Sequence, residues 1–262
     1  MRTTFLALSL VTLLAGRAAA TPPPVDVALV LAADVSGSMS GALSAQRSGF
    51  VAAFRNAEIA ASIASGPIGR IAVTYVEWAG VHEQWTVVPW TIIANADDAN
   101  DFADRLAAAP GERGYQTSIS AGLLYAARLL ALSGVEATRL AVDISGDGPN
   151  NSGPPVAVAR DTLVARGITI NGLPLPEPDT GGPFAYLTDR DDIDLDAYYT
   201  DCVIGGAGSF VMPVYGAAGY SAAIRRKLAM EIAGVPARVF LASFSPRPAS
   251  PATQCATPGA GE

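Results

Sequence analysis

Asp34, Ser36 and Ser38 occupy alternate positions in Asp34-Val35-Ser36-Gly37-Ser38, directly after the apolar run Val25 to Ala33. One carboxylate and two hydroxyls leaving a buried strand form a set of hard oxygen donors. Such donors suit a small divalent cation better than they suit nucleophilic attack. Two distant segments carry the same donor types: Thr117 in Gly114-Tyr115-Gln116-Thr117-Ser118, and Asp147 in Ser145-Gly146-Asp147-Gly148. Taken alone, an Asp-x-Ser-x-Ser run has a plainer reading, because Asp and Ser cap helices and fill turns throughout proteins. The two readings separate on whether the fold brings all three segments to one place.

The elements that would position them are visible in the hydropathy pattern. Val25 to Ala32 is almost continuously apolar, interrupted only by Asp26, as expected of a central parallel strand. Ser40 is placed to cap a helix whose apolar residues Leu43, Phe50, Phe54 and Ala61 share one face, ended by Gly66-Pro67. Ile71 to Trp78 and Gln84 to Trp90 read as a hairpin turning near Gly80, its second strand at the sheet edge. A short helix from Asn95 or Asp97 to Ala108 precedes a loop at Pro110-Gly111. Thr117 or Ser118 caps a helix with Ile119, Leu123, Ala126 and Leu130 on one stripe. Arg139 to Ile144 is a strand, Pro155 opens a helix that stops at Gly167, and Ile168 to Leu173 is the next strand. Pro174 to Gly182 is irregular, and Ile193 to Asp201 reads as a short helix. Phe210 to Val214 reads as a last strand and Ser221 to Ala233 as a last helix.

This alternation predicts an α/β fold: a doubly wound, mostly parallel sheet with helices on both faces and one antiparallel edge strand. Ligands in such sheets bind beyond the carboxyl ends of the strands, where the strand order reverses. Asp34, Ser36 and Ser38 lie just past the end of the first strand, and Asp147 just past the Arg139 to Ile144 strand. Thr117, at a helix N-terminus, belongs to the same edge. Oxygen donors from three segments therefore converge on one rim.

The arrangement resembles the von Willebrand factor A-type domain with its metal-ion-dependent adhesion site, a Rossmann-type fold. That site combines an Asp-x-Ser-x-Ser motif with a Thr from a second loop and an Asp from a third. The resemblance runs from about Val25 to Ala233 and implies Asp34, Ser36, Ser38, Thr117 and Asp147 as the metal set. It further implies that the hydroxyls bind Mg²⁺ while the carboxylates act largely through bound water. More particularly, the chain resembles a bacterial exported subgroup designated DUF1194, through Ser145-Gly146-Asp147-Gly148-Pro149-Asn150-Asn151, Cys202-Val203-Ile204-Gly205-Gly206 and Lys227-Leu228-Ala229-Met230-Glu231-Ile232-Ala233. One departure stands out. Many such domains carry Thr-Asp-Gly directly at the strand end, whereas here Gly146 separates Ser145 from Asp147. Asp143 is the nearby competitor, but its mid-strand position aims it away from the rim.

Mg²⁺ takes about six oxygens near 2.0–2.1 Å and usually keeps several waters; Mn²⁺ suits the same donors, while Ca²⁺ needs more of them. Neutral hydroxyls leave the ion much of its charge, so it can accept an Asp or Glu carboxylate from a partner protein. The implied function is an exported, metal-ion-dependent protein-binding module of the adhesion type, without catalysis. The alternative is a hydrolase using Ser36, Ser38 or a metal-bound water. His82 is the only histidine, and it falls in the turn of the edge hairpin, far along the chain from the rim. A Ser-His-Asp triad needs a histidine beside the serine, and no Gly-x-Ser-x-Gly elbow is present.

Composition sets the outer bounds. Half of the 262 residues are hydrophobic and 16% are charged, ordinary for a protein with a large core. Arg2, the apolar run Phe5 to Ala15 and Ala18-Ala19-Ala20 form a secretory signal peptide over residues 1–20. The run is too short to span a bilayer, no longer one follows, and no Cys lies at the cut to take a lipid. Losing Arg2 and Arg17 with the leader takes the formal charge from −7 to −9. An acidic surface argues against nucleic acid and anionic membranes as partners. Export, to the periplasm or beyond, places Cys202 and Cys255 in an oxidising compartment, where a disulfide is expected. Closing a loop of about 50 residues, it is worth roughly 4 kcal/mol in the chain-entropy account. It would tie a Pro-rich tail, residues 246–262, back onto a domain spanning 25–245. The acidic run Asp189, Asp191, Asp192, Asp194 and Asp196 lacks the spacing of an EF-hand and reads as a solvated loop entering a helix N-terminus. Gly205-Gly206-Ala207-Gly208 reads as a tight turn, and Trp78, Trp85 and Trp90 as core or edge cover.

Overall fold

The structure of the protein, a computed structural model, describes residues 21–175, 194–214 and 219–234, together with Cys255. The expected leader, the tail apart from Cys255, and Asp189, Asp191 and Asp192 lie outside the described residues. The sheet has five strands in the order β3-β2-β1-β4-β5. They are β1 (Pro24–Asp34), β2 (Ile71–Trp78), β3 (Gln84–Ile93), β4 (Glu136–Gly146) and β5 (Ile168–Pro174). All neighbours run parallel except β2 and β3, which form the expected antiparallel edge hairpin. Pro89 sits in β3 without cost, because an edge strand needs no ladder donor on its outer side.

Alternation along β1 divides the core. Val27, Leu29, Leu31 and Ala33 face α1 (Leu43–Phe54), α2 (Ala57–Ala64), α3 (Ala96–Ala108) and α7 (Tyr220–Ala233). Ala28, Val30 and Ala32 face α4 (Ile119–Ala131), α5 (Val156–Val164) and the turn holding Tyr198, Tyr199 and Cys202. Helices on both faces explain why β1 is buried from Val25 to Asp34 and reads as one apolar run. The crossover leaving β1 lies on the first face and the one leaving β4 on the second. The strand order therefore reverses between β1 and β4, where a ligand crevice belongs. The interrupting Asp26 serves the turn into β2. Its carboxylate accepts the N–H groups of Ile68 (3.0 Å), Gly69 (2.9 Å) and Arg70 (3.3 Å) and so closes that turn.

Three expectations about elements need correction. The first helix is two, because Asn56 ends α1 and caps α2, accepting the Glu58 N–H at 2.8 Å. Ser40 lies inside a 3₁₀ turn, Gly37–Gly41, and the residue before α1 is Ala42, which supplies no side-chain cap. Phe210 to Val214 is no sixth strand; it meets β5 only at the isolated bridge Gly172↔Val211. Pro213 removes the donor that a longer ladder requires. Further along, α6 (Leu195–Tyr198) passes into a π-helical turn, Tyr199–Val203. Cys202 in that turn is disulfide-bonded to Cys255 with Cα atoms 5.3 Å apart, as expected. Gly206 turns the chain beside it with φ +90°.

The face under α7 holds a fully buried ammonium. Lys227 Nζ lies 2.7 Å from Asp143 Oδ1 and 2.5 Å from Glu231 Oε1. Asn171 donates to the same Glu231 oxygen at 2.9 Å, and the Phe210 ring lies 5.5 Å from Nζ. Asp143 is thus turned inward, away from the rim. Arg139 closes the end of α7 by donating to the carbonyls of Glu231 (3.0 Å) and Ile232 (2.8 Å). Removing one member of a buried ion cluster leaves uncompensated charge, so Lys227→Met is expected to cost about 3–5 kcal/mol in urea unfolding. Burial, then Asp143, push the Glu231 carboxyl up to about 8. A carboxyl raised in the folded state holds a proton that the unfolded chain releases, so its stabilising contribution is lost as pH rises towards 8. Glu231→Gln should therefore flatten the fall in stability between pH 5 and 8, by at most about 1.4 kcal/mol per pH unit.

Candidate metal centre

β1 delivers Asp34 to its own carboxyl end, with no exposed surface. There Oδ1 accepts the Ser36 N–H at 2.7 Å, which folds the chain back and sets Ser36 above the strand end. The 3₁₀ turn then carries Ser38 to within 3.2 Å of the Ser36 hydroxyl. From the neighbouring strand, β4 ends at Gly146 and presents Asp147, whose Oδ1 accepts from Ser38 Oγ at 2.7 Å. A third loop closes the arrangement. Gly114 N–H bonds Val35 O at 3.0 Å, and Ser118 N–H bonds Ala79 O at 2.7 Å. Thr117 is exchanged with Asn151 in both directions: Thr117 N–H to Asn151 Oδ1 and Asn151 N–H to Thr117 O, each 2.8 Å. The loops after β1, before α4 and after β4 are thus bonded to one another in a ring.

Other buried groups brace this ring. Glu77, at the end of β2, pairs with the Arg47 guanidinium and accepts the Glu112 N–H at 2.9 Å, anchoring the loop that leads to Thr117. Gln46 donates to Ser145 Oγ at 2.6 Å, tying α1 to the end of β4. Tyr198 Oη accepts the Asn150 N–H at 3.1 Å, and Asn150 Oδ1 accepts the Ser120 N–H at 3.0 Å. Ser118 caps α4.

The electrostatics are dominated by the buried Asp34 carboxylate beside Asp147. Burial, followed by the nearby Asp147, pushes Asp34 up to about 8, against the pull of the Ser36 donors. Among the described residues no Lys or Arg pairs with Asp34, and its buried Oδ2 has no hydrogen-bond partner. A carboxylate so placed is stabilised by a cation. The donor set fits a hard one: the carboxylates of Asp34 and Asp147, with the hydroxyls of Ser36 and Ser38 between them. Among the described residues no three His, Cys, Asp or Glu side chains form a metal cluster, as is consistent with a site built largely on hydroxyls.

The contacts join Asp34, Ser36, Ser38 and Asp147 directly, while Thr117 is held beside them through its backbone. Asp194, from the acidic run, caps α6 by accepting the Ala197 N–H at 3.1 Å. His82 is nearer the rim than chain distance suggests, because β2 is parallel to β1 and its hairpin turn lies at the same edge. It is exposed there, and no hydrogen bond among the described residues joins it to Ser36 or Ser38, which bond one another and Asp147. One participant escaped sequence reasoning. Tyr199, fully buried, brings its hydroxyl to the same side of Gly146 as Asp34 Oδ2: a Cβ on Gly146 would lie 2.9 Å from that hydroxyl and 2.8 Å from Oδ2. The extra glycine between Ser145 and Asp147 therefore has a physical reason, since a side chain there would displace both groups.

A parallel-sheet sandwich with oxygen donors at the β1/β4 reversal defines a von Willebrand factor A-like domain. The same fold is seen in proximal thread matrix protein 1 from the mussel byssus, with TM-score 0.54 and 14% identity over 81% of this chain and 49% of that one. The pilus adhesin SpaC of Lactobacillus rhamnosus GG is similar at TM-score 0.54 and 14% identity, over 82% and 30% of the respective chains. A von Willebrand factor type A protein from Catenulispora acidiphila gives 0.51 and 14%, over 79% and 43%. This chain thus spans about half or less of each of those proteins. None of the curated proteins is similar to it. The chain belongs to the DUF1194 family, described as "Protein of unknown function", which it matches over residues 24–236.

Because the Gly146 position is filled from both sides, Gly146→Ala is expected to lower stability by about 1–3 kcal/mol through overpacking. Urea melts would measure this, and a variant as stable as wild type would mean that Asp34 and Tyr199 yield freely.

Proposed function

We propose that this chain is an exported protein-binding module of the adhesion type. Asp34, Ser36, Ser38, Thr117 and Asp147 hold a divalent cation, Mg²⁺ or Mn²⁺, whose open position takes an Asp or Glu carboxylate of a partner protein. The observation that carries this reading is the ring of three cross-bonded loops around Asp34, a fully buried carboxylate with no Lys or Arg paired to it among the described residues. When bound, the cation supplies an electrophilic coordination position. The chain's own residues keep that position outward-facing: the hydroxyls add no negative charge, and Asp34 lies deepest.

Several features support a macromolecular partner over a small substrate. The cavity beside Ser36 and Gly37, walled by Arg113, Gly114 and Tyr115, is only about 200 Å³, below the roughly 300–1,000 Å³ of small-molecule sites. A larger cleft of about 810 Å³, lined by Arg47, Tyr75 and Glu77, does not reach Ser36 or Ser38. Tyr115 is 91% exposed at the rim, and an exposed tyrosine is a common contact residue in protein interfaces. A further structure of the mussel byssus protein, TM-score 0.50 at 14% identity, has a zinc-occupied MIDAS motif, which supports a divalent ion in this fold. Export, to the periplasm or the medium, is supported by the leader-like N-terminus and the disulfide. Among the described residues no helix is long and apolar enough to cross a membrane.

A ligand that binds only the folded state stabilises it by about 2.7 kcal/mol at a hundred times its Kd. Saturating Mg²⁺ or Mn²⁺ should therefore raise the melting temperature by roughly 5–10 °C, and Asp34→Ala should abolish the rise. A metal-dependent pull-down from the native envelope, lost in Asp34→Ala, would then recover the partner.

A further inference from the structure

The protein carries a second buried polar group that packing alone does not explain. Tyr199 is fully buried, and its hydroxyl has no hydrogen-bond partner among the described residues. A phenylalanine would fill the same core volume. Buried hydroxyls are almost always paired, and an unpaired one is costly. Asp34 Oδ2, near it, is likewise buried with no hydrogen-bond partner among the described residues. Both atoms lie within 2.9 Å of a single point, the place a Gly146 Cβ would occupy. A phenol donates and a carboxylate accepts, so the two orphans are complementary. Asp34 Oδ1 is already committed to the Ser36 N–H at 2.7 Å, which leaves Oδ2 as the oxygen to be oriented.

The backbone that delivers the hydroxyl is itself unusual. Tyr199 opens the π-helical turn Tyr199–Val203, closed by Ile204 N–H to Tyr199 O at 3.0 Å. Such turns are rare and concentrate at functional sites. This one is fixed from two sides, by the Cys202–Cys255 disulfide and by Arg160, which donates to Asp201 O at 2.8 Å and Cys202 O at 3.3 Å. Adjacent tyrosines therefore serve adjacent loops: Tyr198 holds Asn150, and Tyr199 reaches the end of β1.

We propose that Tyr199 is a positioning residue for Asp34: its hydroxyl and Oδ2, unpaired among the described residues, bond when a cation draws the Asp34 carboxylate into place, the hydroxyl donating and fixing the carboxylate plane. The inference rests on the reading of the rim as a cation site. It gives the disulfide-clamped π turn a function that tail attachment alone does not require. Second partners of this kind orient a ligating carboxylate, and their loss typically weakens metal binding by about 10–100-fold.

The test compares wild type, Tyr199→Phe and Tyr198→Phe as mature, disulfide-intact protein. Mn²⁺ affinity is read by calorimetry, thermal melting is followed with and without Mn²⁺, and near-ultraviolet difference spectra are recorded on adding Mg²⁺. Tyr199→Phe should melt at the same or a higher temperature without metal, because a lone buried hydroxyl is gone, yet bind Mn²⁺ about 10–100-fold more weakly. The tyrosine difference band should appear in wild type and Tyr198→Phe and vanish in Tyr199→Phe. Equal Mn²⁺ affinity in wild type and Tyr199→Phe would overturn the inference while leaving the cation site standing. So would a lower metal-free melting temperature with unchanged affinity, which would mark Tyr199 as structural only. No metal effect in wild type would remove the cation site and this inference together.

Discussion

A carboxylate with no exposed surface, and with no Lys or Arg paired to it among the described residues, is the constraint around which this structure is arranged. Asp34 ends the central strand of the sheet, buried on both faces, where ionisation without compensation is strongly disfavoured. The same protein shows how it treats buried carboxylates it means to neutralise. One strand away, under α7, Asp143 and Glu231 share the ammonium of Lys227. At the rim, Asp34 accepts the Ser36 N–H and Asp147 the Ser38 hydroxyl, and among the described residues no Lys or Arg pairs with Asp34. Hydroxyls solvate a cation without cancelling it, so the proposed ion would supply the positive charge that Asp34 is not given by a neighbouring Lys or Arg among the described residues.

The fold produces this place through its connections. Crossovers on opposite faces split the sheet between β1 and β4, so the two strand ends diverge above and leave a crevice lined by their last residues. Gly146 keeps that crevice open at its base. The loops around it are bonded to each other, through Val35 with Gly114, Thr117 with Asn151, and Ser38 with Asp147. Such cross-bonding holds donors from distant parts of the chain in fixed relation, which a cation with strict geometric demands requires.

Much of this was legible in the sequence because the relevant signals are local. A two-sided sheet writes continuous apolar strands, helices write stripes, and donors at strand ends fall at predictable places. What escaped was set by tertiary partners. Lys227 lies on a helix where a lysine is ordinarily solvated, and only Asp143 from β4 and Glu231 explain its burial. Asn56 divides a helix whose apolar stripe runs on unbroken, so the cap was the sole signal. Phe210 to Val214 has strand composition but meets β5 through one bridge, because Pro213 has no donor to offer and the Phe210 N–H goes to the Asn171 side-chain oxygen. His82 looked remote by chain distance, although parallel pairing of β1 and β2 puts its turn at the rim edge. Tyr199 gave no warning at all, since a π turn has no sequence signature and a tyrosine near a cysteine reads as core. The Gly inserted before Asp147 looked like a flaw in the motif; its surroundings give it a reason.

The central claim is that the β1/β4 rim binds a divalent cation through these residues. Anomalous diffraction from crystals grown with Mn²⁺ addresses it most directly. The account predicts one strong peak, coordinated by Ser36 Oγ, Ser38 Oγ and Thr117 Oγ1, with Asp34 and Asp147 within one water of it. Crystals that show no peak at the rim, or one only at the acidic residues before α6, would contradict it.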